Sequence, residues 1–440
     1  MTDDLTAITL RPGDEGYSAA ATTYMRTGRP AVVIRPRDAA GVAAAIQYAT
    51  SHGLVLSVKS GGHSVLGFGT NDDGVVIDLT RFNSVDVLDD STGRVRVGAG
   101  AVWGDVAISL AEHELSLTSG DTKSVGVGGL TLGGGIGWMV RNHGLTIDNL
   151  VAADIVTAGG QALRLSDNEN PDLFWAIRGG GGNFGVVTHL EFLAQRVTSV
   201  HAGMITYSVD DVPTLVRGWR DAHRAAAEEL NSTLVLMPAF GAEMPAMAMG
   251  LVCYAGADHA AADAAFAPLL ALDGVLSTEI AEKPYADVLE EAHPPPGVTA
   301  MATNTLVESM SDEVIAAVAD WYAAGAVGRL AFIRALGGAV GRVPSDATAF
   351  AHRTAEAMVV GAAFLPVDAA EEELIEAIRP FDAVKAFGVG AYSGFLGTAT
   401  ADDLAAIYPV QTLHRLREVK QKYDPANVFN QNFNIRPGVV

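Results

Sequence analysis

One cysteine occurs in 440 residues. Without a second thiol, Cys253 excludes an internal disulfide framework and any metal site built from cysteines, and packing is left as its role. Basic residues are scarce too: 29 Lys and Arg stand against 51 Asp and Glu, a formal net charge of −22. Phosphate backbones are gripped by Lys and Arg, so this balance argues against a nucleic-acid partner. No run approaches the ~18 uninterrupted apolar residues of a membrane helix, so no membrane partner is expected. The opening residues MTDDLTAITL lack the basic and apolar segments of a secretory leader, which makes the cytoplasm the expected location. There is no His-x-x-His metal pattern, no Gly-x-Ser-x-Gly elbow and no Gly-Lys-Ser/Thr phosphate loop. No metal is expected, and nothing in the sequence sets an oligomeric state.

What is present is length, hydrophobicity and glycine. A chain of this size, 49% hydrophobic, outgrows a single core and calls for two or three domains. Its texture changes twice, giving regions 1–198, 199–390 and 391–440. The first alternates short strands and helices. Ala31 to Ile34 reads as a strand, Asp38 caps a helix with Val42, Ile46 and Ala49 on one face, and Leu54 to Val58 is the next strand. Further strands are expected at 75–79, 94–98, 153–158 and 185–192. Ala-rich helices at 211–230, 258–272, 311–324 and 368–380 alternate with strands at 232–239, 246–255, 329–335 and 356–364 in the second region, an α+β pattern with helices on one face of a sheet. In the third, Leu413, Leu416, Val419 and Tyr423 stripe one helix, which an Asp-Pro pair ends.

Three glycine clusters lie in the first region: Ser60-Gly61-Gly62-His63-Ser64, then Val125 to Gly129 running on to Gly133–Gly137, and Gly179 to Gly185. Such clusters let backbone approach a ligand closely, and successive N–H groups form a nest for a diphosphate. One cluster is explained by a turn; three point to a dinucleotide. Gly180, Gly182 and Gly185 do spell G-x-G-x-x-G, but that fingerprint must follow a strand and open a helix. Here a helix over 172–177 precedes it and a strand over 186–192 follows. Nicotinamide-dinucleotide binding is therefore rejected.

These clusters, together with Gly182-Asn183-Phe184-Gly185-Val186-Val187-Thr188, resemble the FAD-linked oxidases of the vanillyl-alcohol-oxidase and p-cresol-methylhydroxylase superfamily. The ending Tyr423-Asp424-Pro425-Ala426-Asn427-Val428-Phe429, with Asn432, Asn434 and Ile435, is similar to the berberine-bridge-enzyme-like branch. The resemblance implies an α+β, two-domain FAD-binding fold, with 1–198 and 391–440 making the FAD domain and 199–390 the substrate domain. It further implies that His63 bonds covalently to the flavin 8α-methyl. Many relatives carry a second tether, a cysteine, where this chain has Thr122, so a single histidyl attachment is expected, as in the 6-hydroxynicotine-oxidase-like members. Gly61, Gly62 and Ser64 would supply nest donors beside Ser60. Ser124, Val125, Gly128, Gly129 and Gly134 would line the flavin and diphosphate, Val187 would meet the adenine, and Asn432 and Asn434 the pyrimidine edge.

A neutral imidazole is chemically able to attack the 8α carbon. Beside glycines, it is equally able to hydrogen-bond a phosphate or the backbone. Tyr392 heads Tyr-Ser-Gly-Phe, similar to a substrate-face motif of the family in which Asn stands where this chain has Gly394. It either takes a proton from substrate or lines the pocket. His293, in a Pro-rich loop, either enters the pocket or, the favoured reading, is a solvated loop histidine, and Tyr254, Trp321 and Phe395 are candidate aromatic walls for which core packing is the safer assumption. A small Val125 beside the flavin implies, by the resemblance, electron transfer to dioxygen. The expected activity is oxidation of a small alcohol, amine or natural-product intermediate with formation of hydrogen peroxide. Oxidative cyclisation of a biosynthetic intermediate, and flavin binding without efficient turnover, are the alternatives.

Overall fold

A computed structural model describes residues 8–240, 244–291, 297–324 and 328–438. His293 lies outside them. The first sheet holds β1 (Thr9–Leu10), β2 (Val32–Ile34), β3 (Leu56–Lys59) and β4 (Val75–Asp78) in the order β1-β2-β4-β3, with β2 and β3 parallel to β4. The crossover between β2 and β3 is the helix Ala39–Ser51, capped by Asp38, whose carboxylate accepts from the Gly41 N–H at 2.8 Å. Its Val42, Ala45, Ile46 and Ala49 are buried, as the 3.6-residue spacing dictates.

Antiparallel pairing builds the second sheet from β5 (Val85–Asp89), β6 (Arg94–Gly98), β7 (Leu150–Val156), β8 (Ala162–Leu165) and β9 (Val186–Leu193), ordered β5-β6-β9-β7-β8. The helix Pro171–Ile177 stands before the Gly180 motif and β9 after it, the reverse of a dinucleotide fingerprint.

Residues 200–366 form a seven-stranded antiparallel sheet: β10 (Val200–Tyr207), β11 (Leu230–Met237), β12 (Met247–Tyr254), β13 (Val275–Lys283), β14 (Val298–Val307), β15 (Gly328–Ala335) and β16 (Ala357–Pro366), ordered β13-β10-β12-β11-β15-β16-β14. Period-two alternation gives it two distinct faces. Ala331, Ile333, Ala357, Val359 and Ala363 pack beneath the helices Val212–Ala225, His259–Leu270 and Asp312–Ala323. Their alternates Phe332, Met358 and Val360 join Leu306, Ile136, Val140 and Tyr392 in a second cluster. One face therefore stabilises, and the other meets the glycine-rich half. Tyr254 and Trp321 belong to the helix-covered core, so neither is a pocket wall.

The C-terminal helix Val410–Tyr423 turns Leu416 and Val419 into the core of the first two sheets, with Phe429 and Ile435 following. Cys253 is fully buried in that core, where burial pushes its thiol up to about 12. No helix among the described residues is long and apolar enough to cross a membrane.

Candidate functional site: a cavity between glycine loops

A cavity of about 500 Å³ opens where the glycine segments converge. Residues 60–66, 125–133, 181–187, 392–396 and 429–433 supply most of its wall. The leading edge of β3 is fixed first. Lys59 turns inward, and its Nζ donates to the carbonyls of Ala19, Ala20 and Thr22 at 3.3, 2.8 and 3.1 Å, while burial lowers its pKa. Ser60 Oγ donates to the Ala99 carbonyl at 2.6 Å. Immediately beyond, the first two glycine loops meet backbone to backbone. A Cβ on Gly61 would stand 2.3 Å from the Gly126 nitrogen, and one on Gly126 would stand 2.1 Å from the Gly61 nitrogen. Only glycine at both positions permits that approach.

The third loop is held by the C-terminal segment. Asn183 Nδ2 donates to the Gly180 and Phe433 carbonyls, and its Oδ1 accepts from the Ile435 N–H. Fully buried Lys420 donates to the Asn183 carbonyl, to Asp424 Oδ2 and to the Phe429 carbonyl at 2.7, 2.7 and 2.9 Å. Asp424 then accepts from the Val428 and Phe429 N–H groups. This satisfied network gives the Tyr-Asp-Pro-Ala-Asn-Val-Phe motif its physical meaning: it folds the chain so that Asn432 reaches the cavity.

His63 stands on the cavity wall with its ring stacked on Tyr24, centroids 4.8 Å apart. Its Nε2 lies 2.8 Å from Ser124 Oγ, which donates to Glu291 Oε2 at 2.7 Å. Burial lowers the imidazole pKa, against the opposing pull of Glu291, so the ring is neutral at neutral pH. Glu291 gets there by backbone pairing: the Glu290 N–H donates to the Asp121 carbonyl at 3.1 Å and the Lys123 N–H to the Glu290 carbonyl at 3.4 Å.

Across the cavity, Tyr392 is locked by Asn304, whose side chain accepts from the Tyr392 N–H and donates to its carbonyl, both at 2.8 Å. Burial pushes the phenol up to about 12, although the backbone N–H groups of Gly135 and Ile136 and the charge of Arg334 oppose it. Asp121 lines the same cavity and pairs with Arg334, whose side chain is 4% exposed. Burial alone would raise the Asp121 pKa; the guanidinium outweighs it and holds the carboxylate below its usual range.

Of the residues singled out from sequence, Ser60, Gly61, Gly62, His63, Ser64, Val125, Gly128, Gly129, Val187, Tyr392, Phe395 and Asn432 line one cavity, as does Thr122. Ser124 stands behind His63, Gly134 packs against Phe350 and Tyr392, and Asn434 is not in the lining. The sequence reading missed Glu291, Asp121, Arg334 and Lys420. Only Lys420 had a local signal, its four-residue spacing to Asp424 on a helix.

The residues present suit FAD. Asn432 Oδ1 is buried without a hydrogen-bond partner on a wall that a flavin pyrimidine edge, itself a donor, would satisfy. A Cβ on Gly129 or Gly182 would meet nothing within 4 Å, leaving both backbones open to the cavity.

Comparison with known proteins agrees. Residues 30–166 match the family described as FAD binding domain, and residues 408–436 match berberine and berberine like. The chain is 32% identical to (R)-6-hydroxynicotine oxidase of Paenarthrobacter nicotinovorans, over 97% of this chain and 96% of that one. The crystal structure of 6-hydroxy-D-nicotine oxidase from Arthrobacter nicotinovorans superposes with a TM-score of 0.85 at 29% identity, covering 98% of each chain. Glucooligosaccharide oxidase from Acremonium strictum, described with 6-S-cysteinyl, 8α-N1-histidyl FAD, shares the fold at a TM-score of 0.85 and 23% identity over 100% of both chains. With its two-domain α+β fold and its FAD-fitting cavity, the chain belongs to the FAD-linked oxidoreductases of the berberine-bridge-enzyme-like family and is an FAD-dependent oxidoreductase.

Proposed function

We propose that the protein is an oxidase that holds FAD through a single covalent bond to His63, oxidises a small amine, alcohol or natural-product intermediate, and passes the electrons to dioxygen, giving hydrogen peroxide. The observation that carries this reading is the position of His63: a neutral imidazole on the wall of the cavity where three glycine loops and Asn432 converge. In this reading the backbones of 60–64, 128–129 and 181–182 hold the diphosphate, Val187 meets the adenine and Asn432 the pyrimidine edge. Thr122, at the second tether position, has no thiol to offer.

When bound, FAD supplies the two-electron acceptor. The protein's own groups position the donor. Tyr392, a phenol that stays protonated far above neutral pH, serves as a hydrogen-bond donor to the substrate heteroatom rather than as a base. Asp121, kept ionised by Arg334, accepts from a substrate N–H or O–H. An acceptor-only carboxylate on a wall otherwise rich in Tyr24, Phe68, Phe395 and Phe433 favours a small substrate with an apolar body and one polar donor.

Acid precipitation tests the attachment. Yellow colour should stay with the pellet and vanish from it in His63→Ala; colour wholly in the supernatant of the unaltered protein would sink the covalent link. Anaerobic bleaching by a panel of amines and alcohols, followed by peroxide release on admitting air, tests the reaction, and product mass separates simple oxidation from cyclisation.

A further inference from the structure

We propose that Ser124 and Glu291 form a proton path that sets His63 in the tautomer able to bond the flavin and removes its proton as the bond forms. The proposal rests on the reading of His63 as the attachment point and adds two positioning residues to it.

Proton counting carries the argument. Ser124 has one hydroxyl proton, and it is donated to Glu291 Oε2 at 2.7 Å. Ser124 Oγ can then only accept from His63 across the 2.8 Å contact, so His63 carries its proton on Nε2. Nδ1 is left with its lone pair, and among the described residues no other hydrogen bond reaches the ring. Stacking on Tyr24 at an interplanar angle of 17° holds the ring plane. The result is a neutral nucleophile with a fixed orientation and a base two hydrogen bonds behind it.

The step balances. Nδ1 forms a bond to the flavin 8α carbon, and the methyl gives up one hydrogen as a proton. Nε2 releases its own proton to Ser124 Oγ as the Ser124 hydroxyl proton passes to Glu291. Two electrons are left on the isoalloxazine; dioxygen takes them with the two protons and leaves as hydrogen peroxide. Without the path, bond formation would strand a cationic imidazolium in a half-buried site, which desolvation opposes.

The full-length protein, prepared without flavin and then mixed with FAD in air, gives the test. Covalent flavin is followed over time by acid precipitation and intact mass, and non-covalent binding by quenching of flavin fluorescence. Glu291→Gln and Ser124→Ala should each bind FAD yet attach it about 100-fold more slowly, the scale of a lost general base. Glu291→Asp, which keeps the carboxylate, should recover most of the rate. Attachment at the unaltered rate in both Gln and Ala variants, or equal slowing in Glu291→Asp and Glu291→Gln, overturns the path. Should Glu291→Gln bind no flavin, Ser124→Ala, which removes a single oxygen, decides alone. Attachment that persists in His63→Ala is a different failure, because it removes the attachment point itself.

Discussion

The glycine-rich half and the seven-stranded half of this molecule use their side chains in opposite ways. Around the cavity, function lies largely in backbone, so the sequence is conspicuous for what it omits: Gly61 and Gly126 touch because neither has a side chain. In the seven-stranded sheet nearly everything is side-chain packing. Val216, Trp219, Leu234 and Ile333 fill its helix-covered face, each aliphatic chain there worth about 1.5–3 kcal/mol over exposure. The opposite face of that sheet turns Arg334, Asn304 and Phe332 toward the glycine-rich half, where they contact Asp121, Tyr392 and Phe395.

The sharpest way to break this contrast is to strand a charge in the cofactor half. Lys420→Met leaves Asp424 buried and unpaired, and it should cost about 3–5 kcal/mol of stability, read by denaturant unfolding, with loss of bound flavin. Next, Gly126→Ala forces the two glycine loops apart, and it should cost about 1–3 kcal/mol and weaken flavin retention, measured by thermal shift with and without FAD. The other half should respond to pH instead. His223 is buried between Trp219 and Ser232, and burial lowers its pKa to about 3, with Arg141 adding to the effect. The unfolded chain binds this proton more readily, so the stability it contributes is full above about pH 6.5 and falls as pH drops toward 3, by at most about 1.4 kcal/mol per unit. His223→Gln should flatten that slope in acid unfolding and leave flavin attachment untouched. Smallest is Val125→Leu: stopped-flow reoxidation should slow about tenfold, ~1.4 kcal/mol of barrier, with anaerobic reduction unchanged.

The same contrast explains what could be read from sequence. That the glycine clusters gather round one cavity was legible because a ligand that approaches backbone demands glycine in runs, whereas His63 and Asn432 stood out through their resemblance to family motifs. The four long helices of the second region were legible from periodicity; in the structure Asp211 caps the first of them, accepting from the Thr214 N–H at 3.0 Å. Three strands there were not: β10, β13 and β14. The last two are the sheet's edges, and β13 reads Val-Leu-Ser-Thr-Glu-Ile-Ala-Glu-Lys, largely exposed, with the charge that edges carry to discourage pairing. Glu291 was invisible for another reason. It meets Ser124 across 167 residues of sequence, through a two-residue backbone pairing that no local pattern marks.

The Lys420 network carries a consequence in time as well as in space. It brings residues 429–433 to a cavity whose other walls begin at Tyr24, so the binding site is closed by parts far apart in the chain. The parallel sheet and its helix can fold while the chain is still growing, since N-terminal units fold first. The cavity wall is incomplete until residue 433 has been added, so a flavin that enters before then lacks its finished surroundings.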